Sequence, residues 1–277
     1  MSSQQNATLD WGSTYRLVAA DKWRAKSAAM GRDVTEALVN YARPEPGMSI
    51  LDLAAGTGEP AISLASKVGA GGHVTALDLS ADLLQIAARR ARERNLTNFS
   101  TQQADAHQLP FLDNSFDLIT CRFGIMFFDI RALREAYRVL KPKTRACFLA
   151  WGPFDQPFWS TMLGVAHKYA GGARTVAGQD PCRFGQPGSL AAFLREAGFE
   201  NVEEKTEALP WTWPGEPEEI WEQMQASATP FLPMLQRIPV EKRAQVDREV
   251  MRAVRKYQDA EGIKFGATVV FGSGQKA

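Results

Sequence analysis

The chain has 277 residues, with 32 Lys or Arg against 31 Asp or Glu and a formal net charge of +1. Hydrophobic residues make up 45% and charged residues 23%, which excludes a disordered tail or a fibrous repeat. Near-neutral charge argues against a protein held on nucleic acid by bulk electrostatics. Three cysteines, Cys121, Cys147 and Cys182, show no metal-ligand spacing and fit free thiols in a reducing compartment. The polar stretch Met1–Asp10 lacks the apolar core of a signal peptide. No run of about 18 apolar residues occurs, so no membrane span is expected and the expected setting is the cytoplasm.

Taken in order, residues 1–43 read as helical after a polar start, and the run Arg43–Gly47, with two prolines, breaks that pattern. Ser49–Ala54 reads as a first strand, followed by a Gly-rich turn, Ala55–Gly58, and a helix with Pro60 in its first turn. His73–Asp78 reads as a second strand, and Ser80 is placed to cap a helix carrying Leu83, Leu84, Ala87 and Ala91. Phe99–Gln103, Phe116–Cys121 and Ala146–Trp151 read as three more strands, with a helical pattern through Ile130, Leu133, Tyr137 and Leu140 between the last two. After Trp151 the alternation loosens into Gly, Pro and aromatics around a helix containing His167. A helix over Ser189–Ala197, a strand over residues 202–209, a mainly helical stretch over residues 214–262 and a strand Ala267–Phe271 complete the chain. Strands alternating with helices predict an α/β architecture with a mostly parallel sheet.

The informative segment is Asp52-x-Ala54-x-Gly56-x-Gly58, an acid near a strand end followed by glycines and a helix start. Such a turn lets a ligand approach the backbone beside unpaired N–H groups. Twenty residues beyond Gly58, Asp78 ends the second strand, where a carboxylate can accept both hydroxyls of a ribose. Two ligand classes fit. Gly56-Thr57-Gly58-Glu59-Pro60-Ala61 satisfies the dinucleotide pattern, which would make the protein an NAD-dependent oxidoreductase. Asp52 favours a ligand amine over a pyrophosphate, because a carboxylate beside the turn repels phosphate.

Residues Ile50–Gly58 resemble motif I of the class I S-adenosylmethionine-dependent methyltransferases, and most closely the ubiquinone/menaquinone-biosynthesis C-methyltransferase-like (methyltransferase type 11) branch. Gln103–Ala106, Leu109–Phe111, Ser115–Ile119 and Arg138–Pro142 match its later motifs in order, over roughly residues 40–151. Tyr15-x-x-x-Ala19-x-x-x-Trp23 resembles the N-terminal segment that closes over the cofactor in relatives. Two departures stand out: Ala54 and Lys143-Thr144 occupy positions where relatives usually carry glycine.

The resemblance implies a Rossmann-like seven-stranded sheet with helices on both faces, N-terminal helices and a helical, aromatic cap. It implies one compact domain: an N-terminal helical cap over 1–43, a cofactor-binding core over 44–151, substrate-cap insertions over 152–187 and 214–262, and the rest of the sheet over 188–213 and 263–277. S-adenosylmethionine is the implied cofactor, with S-adenosylhomocysteine as product, no metal, and a small-molecule acceptor that is quinone-like, phenolic or otherwise apolar and planar. In the implied site, the backbone of Ala54, Gly56, Thr57 and Gly58 holds the methionine part, Asp52 helps place its amine and Asp78 grips the ribose. Leu79 and Leu83 pack near the adenine, Asp105 and Ala106 read its edge, and Cys121 and Arg122 face the methionine end. Tyr15 and Trp23 close the site, while Phe123, Trp151 and Trp159 are candidates for the acceptor pocket. Among the histidines, His73 is expected on the surface, His107 either in a solvated loop or near the adenine, and His167 either as a capped or exposed helix residue or as the candidate general base. The run Arg89–Arg94 reads as a solvated helix end. C- or O-methylation is expected ahead of N-methylation. A protein that keeps the cofactor without transferring methyl would read the same, and monomer and homodimer are equally compatible with the sequence.

Overall fold

The computed structural model describes residue 17 and residues 20–277, so Tyr15 and Ala19 lie outside the described residues. Among the described residues, eight strands form one sheet: β1 (Ser49–Leu53), β2 (His73–Asp78), β3 (Phe99–Gln103), β4 (Phe116–Arg122), β5 (Leu140–Trp151), β6 (Glu200–Trp213), β7 (Gln258–Asp259) and β8 (Gly262–Gln275). Their order is β3-β2-β1-β4-β5-β8-β6, with β7 paired to β8 off the end of that path. The expected seven strands are therefore joined by a two-residue eighth, which pairs with Gly262 and Ile263 at the start of β8. The first five strands are mutually parallel, and β8 runs antiparallel to both of its long neighbours.

β1 shows why the parallel half needs both faces covered. Ile50, Leu51, Asp52 and Leu53 are all buried, whichever way their side chains point, and that is the pattern of a central parallel strand between helical layers. The covering helices are α1 (Arg24–Met30), α2 (Arg32–Ala42), α3 (Ala61–Val68), α4 (Ala81–Glu93) and α5 (Ile130–Val139). Ser80 caps α4 as its sequence suggested, its hydroxyl accepting from the Leu83 N–H at 3.3 Å. Asp129 does the same for α5, accepting from the Arg131 N–H at 2.8 Å. Strand order reverses at β1, which pairs with β2 on one side and β4 on the other. Open α/β sheets leave a crevice beyond the strands' carboxyl ends at such a point.

Beyond β5 the chain forms the turn Pro157–Trp159, a π-helical segment Ser160–Gly164, α6 (Val165–Ala170), α7 (Ser189–Glu196), α8 (Pro217–Ser227), α9 (Leu232–Gln236) and α10 (Val240–Val254). α8 opens with a reciprocal capping box between Glu216 and Glu219. β6 and β8 reach well past the short strands expected from sequence, because each supplies the other's hydrogen-bonding partner along nearly its whole length. The aromatic side chains of Trp151, Phe158, Trp159, Trp211, Phe231 and Phe265 are buried together in one hydrophobic core. No helix among the described residues is long and apolar enough to cross a membrane.

Candidate functional site

A cavity of about 930 Å³ opens at the carboxyl ends of β1, β2 and β4 and runs beneath α1 and α2. Its floor is the glycine turn. Gly58 has φ +113, and a Cβ there would come within 2.6 Å of Ile62, so only glycine fits. A Cβ at Gly56 would meet nothing within 4 Å, so the space above the turn is open to a ligand.

Asp78 is buried at the cavity wall with both oxygens anchored: Oδ2 accepts from the Gly56 N–H at 2.8 Å and Oδ1 from the Ser80 N–H at 2.9 Å. Each oxygen keeps lone-pair capacity for a further donor, so the carboxylate is fixed before any ligand arrives. The bond from Gly56 also bears on the dinucleotide alternative. A pyrophosphate would need that N–H, and it is already given to a carboxylate.

Leu79, Leu83, Asp105, Ala106, Arg122 and Phe123 all line the cavity, as do Ala54, Gly56 and Thr57. Several expected residues do not. Asp52 is wholly buried beneath the turn, where its Oδ1 accepts from the Thr120 hydroxyl at 2.7 Å. Burial pushes its carboxyl up to about 7, against the Thr120 hydroxyl and the Arg122 charge. Cys121 faces away from the cavity because alternate strand residues point to opposite sides; it is fully buried, and burial pushes its thiol far up. Arg122, the next residue, is the one at the cavity wall.

Trp23 stands edge-on to Trp213, centroids 5.7 Å apart, and is not part of the cavity lining. Trp151 and Trp159 likewise pack behind it, and their place at the wall is taken by Phe123, which stacks on Trp151 at 4.3 Å with an interplanar angle of 8°. His167 also lies away from the cavity. Its ring meets the Gly172 carbonyl at 2.9 Å, just past the end of α6, so it closes a helix terminus. The candidate base thus stands outside the cavity lining, in the helix-end position that was its other reading.

The glycine departures are informative. Ala54 has φ +53 and Lys143 φ +63, so both positions keep a left-handed backbone with a residue that pays a steric cost of about 1 kcal/mol there. Phe123, at the end of β4, has φ +58, which turns its ring into the cavity wall. Gly124 then lies so close to Ala54 that a Cβ would sit 2.5 Å from the alanine methyl.

Sequence reasoning missed part of the lining. Arg90, placed in a solvated run, is half-buried at the wall and donates to the Thr57 carbonyl at 3.1 Å, and Arg94 pairs with Glu59 at 3.0 Å. Helical spacing held the signal, since Arg90 in α4 and Arg94, the residue that caps its end, stand four apart on the side that meets the turn. His107 lines the cavity too, its ring tied to Asp105. Burial lowers the Arg122 pKa, opposed by Glu59 and Asp52. Its Nη1 donates to the Thr35 hydroxyl at 2.7 Å, while its buried Nε has no partner among the described residues. At the wall, the guanidinium of Arg122 is a donor group of the kind that pairs with a ligand carboxylate.

Comparison with known proteins agrees with this geometry. A methyltransferase-domain family model matches residues 50–143. The ubiquinone/menaquinone biosynthesis C-methyltransferase UbiE of Brucella abortus is 34% identical over 198 residues, which span 64% of this chain and 71% of that protein. Among solved structures, the YcgJ protein of Bacillus subtilis matches with a TM-score of 0.58 at 20% identity, over 87% of this chain and 97% of that one. A phosphoethanolamine N-methyltransferase of Haemonchus contortus, solved with S-adenosyl-L-methionine, matches with a TM-score of 0.57 at 16% identity, over 96% of this chain and 60% of that one.

Proposed function

The chain belongs to the class I S-adenosylmethionine-dependent methyltransferases, in the ubiquinone/menaquinone C-methyltransferase-like branch, and on that premise we propose that its acceptor is a planar hydroquinone or phenol methylated at ring carbon. Methyl transfer from S-adenosylmethionine to a small molecule is the family reaction, and the oxidoreductase alternative falls with that membership. The choice of acceptor and of carbon rests on one observation about the wall beyond the turn. It is formed by Phe123, Phe127 and Phe128, and among the described residues the only imidazole at the cavity is His107, already engaged by Asp105. A site built this way suits an acceptor whose ring hydroxyl has given up its proton to bulk water before docking, so that its ring carbon arrives already nucleophilic. An amine held as a cation would need a base. The names of the relatives point the same way.

The cofactor, when bound, supplies an electrophilic methyl group on a sulfonium. In our reading Asp78 accepts the ribose hydroxyls, the Ala54–Gly58 backbone carries the methionine part, and the guanidinium of Arg122 pairs with the methionine carboxylate. Asp52 acts from beneath the turn as a buried counter-charge to the amine. Leu79 and Leu83 flank the base, and Asp105 with Ala106 takes its polar edge. Phe123, Phe127 and Phe128 exclude water, so that alignment does most of the catalytic work.

The test is a transfer assay with labelled S-adenosylmethionine and a panel of hydroquinones, phenols and amines, with product structures read by NMR. C-methylated hydroquinone is the expected product. O-methyl ethers alone would overturn the ring-carbon assignment, and transfer confined to amines would overturn the acceptor class.

A further inference from the structure

His107 sits where the cavity meets a neighbouring groove of about 620 Å³ that shares Asp105, Phe127 and Phe128 with it. Four contacts surround its ring: Asp129 Oδ1 lies 3.6 Å from Nε2, beyond hydrogen-bond distance, and the other three fix its direction. The Asp129 N–H donates to Nε2 at 3.2 Å, Nδ1 lies 2.6 Å from Asp105 Oδ1, and the ring stands edge-on to Phe128 with centroids 5.9 Å apart. A backbone N–H can only donate, so Nε2 must be the accepting nitrogen. The ring proton then belongs on Nδ1, and the Nδ1–H donates to Asp105. The same Asp105 Oδ1 also accepts the backbone N–H of His107 at 2.9 Å. One carboxylate oxygen therefore holds two donors from a single residue, and Oδ2 is left for a third.

We infer that His107 is a positioning residue for the cofactor's base: it fixes the tautomer and the carboxylate together, so that Asp105 presents Oδ2 to a 6-amino purine and turns away a 6-oxo purine. This rests on the reading above in which Asp105 takes the adenine edge. The chemistry is one of sign. An exocyclic amine donates to Oδ2, whereas a carbonyl at that position sets two acceptors against each other and leaves a charged acceptor unpaired. The anchor at the far side of the ring is itself held: Asp129 caps α5 and is paired with Arg131 at 2.7 Å. His107 thus ties the loop after β3 to the start of α5, next to the turn that carries Phe127 and Phe128.

The test uses calorimetric affinities of the full chain for S-adenosylhomocysteine and S-inosylhomocysteine, read as a ratio. The wild type should favour the adenine compound at least tenfold. His107→Ala should shrink that ratio about tenfold, the value of one lost charge-assisted hydrogen bond. His107→Asn can keep a donor where Nδ1 stood and should retain most of the ratio; His107→Gln can replace only the Nε2 contact and should not. A merely structural role would weaken both ligands equally, so an unchanged ratio in His107→Ala, with Asp105→Ala losing it, overturns the inference alone. An unchanged ratio in Asp105→Ala overturns the adenine reading and the inference with it.

Discussion

The turn side of the sheet and the aromatic side beyond β5 treat their polar groups in opposite ways. At the turn, the cavity-lining acids are held by backbone amides: Asp78 by Gly56 and Ser80, Asp105 by His107. On the aromatic side, Trp151, Phe158, Trp159 and Trp211 pack ring against ring, and the buried indole nitrogens of Trp159 and Trp211 have no partner among the described residues. The first arrangement fixes directions, which recognition needs. The second fills volume, which stability needs, and it tolerates unsatisfied N–H groups because its gain comes from buried apolar area. Of that aromatic assembly, it is Phe123, at the end of β4, that meets both the indoles and the cavity.

Breaking the aromatic side should have the largest effect. Trp159→Ala is expected to lower stability by about 3–5 kcal/mol, as for a fully packed aromatic, with S-adenosylhomocysteine affinity little changed in the folded fraction. Denaturant unfolding beside calorimetry checks this, and an affinity loss without a stability loss would place Trp159 in the site. Breaking the turn side should do the reverse. Asp78→Ala is expected to cost on the order of 100-fold in S-adenosylhomocysteine affinity, through two hydrogen bonds to a charged acceptor, and unchanged affinity would remove Asp78 from the ribose.

Asp52 sharpens the comparison because it is buried like the aromatics yet belongs to the turn. Its native pKa of about 7 lies above the unfolded value of about 3.9, so between these limits the native state holds a proton that the unfolded state has lost. Stability from this group is therefore fully present below about pH 4 and is lost as pH rises towards 7, with a slope approaching about 1.4 kcal/mol per pH unit. Asp52→Asn should flatten that slope in unfolding midpoints measured from pH 4.5 to 7.5, and a slope identical to wild type would mean that Asp52 is ionised throughout. The smallest effect is expected at His167. With its ring on the Gly172 carbonyl, His167→Ala should change stability by about 0.5 kcal/mol or less and leave turnover intact. A large drop in turnover would restore it as a base.

Legibility in the sequence followed the range of the interactions involved. The strand–turn–helix, the acid at the end of β2 and the Ser80 cap could be read directly, because each is set by residues within a few positions and by hydrogen bonds to nearby backbone. The cavity lining at Asp78, Asp105 and Phe123 followed from that register once the order of motifs along the chain was clear. The cap was not legible in this way. A periodic apolar pattern gives the same signal for a tryptophan in a core and one in a pocket, so Trp151 and Trp159 could be placed only by their packing partners. The same limit hid the place of Arg90 at the wall and of His167 outside it: both are polar side chains on helices, and which neighbour each meets depends on how distant elements dock. The sequence by itself determined the parallel sheet, the glycine turn and the acids at its edge, because those are local choices of backbone conformation and strand register. Only the tertiary structure decided which side chains reach the cavity, because that depends on contacts between residues far apart in the chain, whose geometry no local pattern encodes.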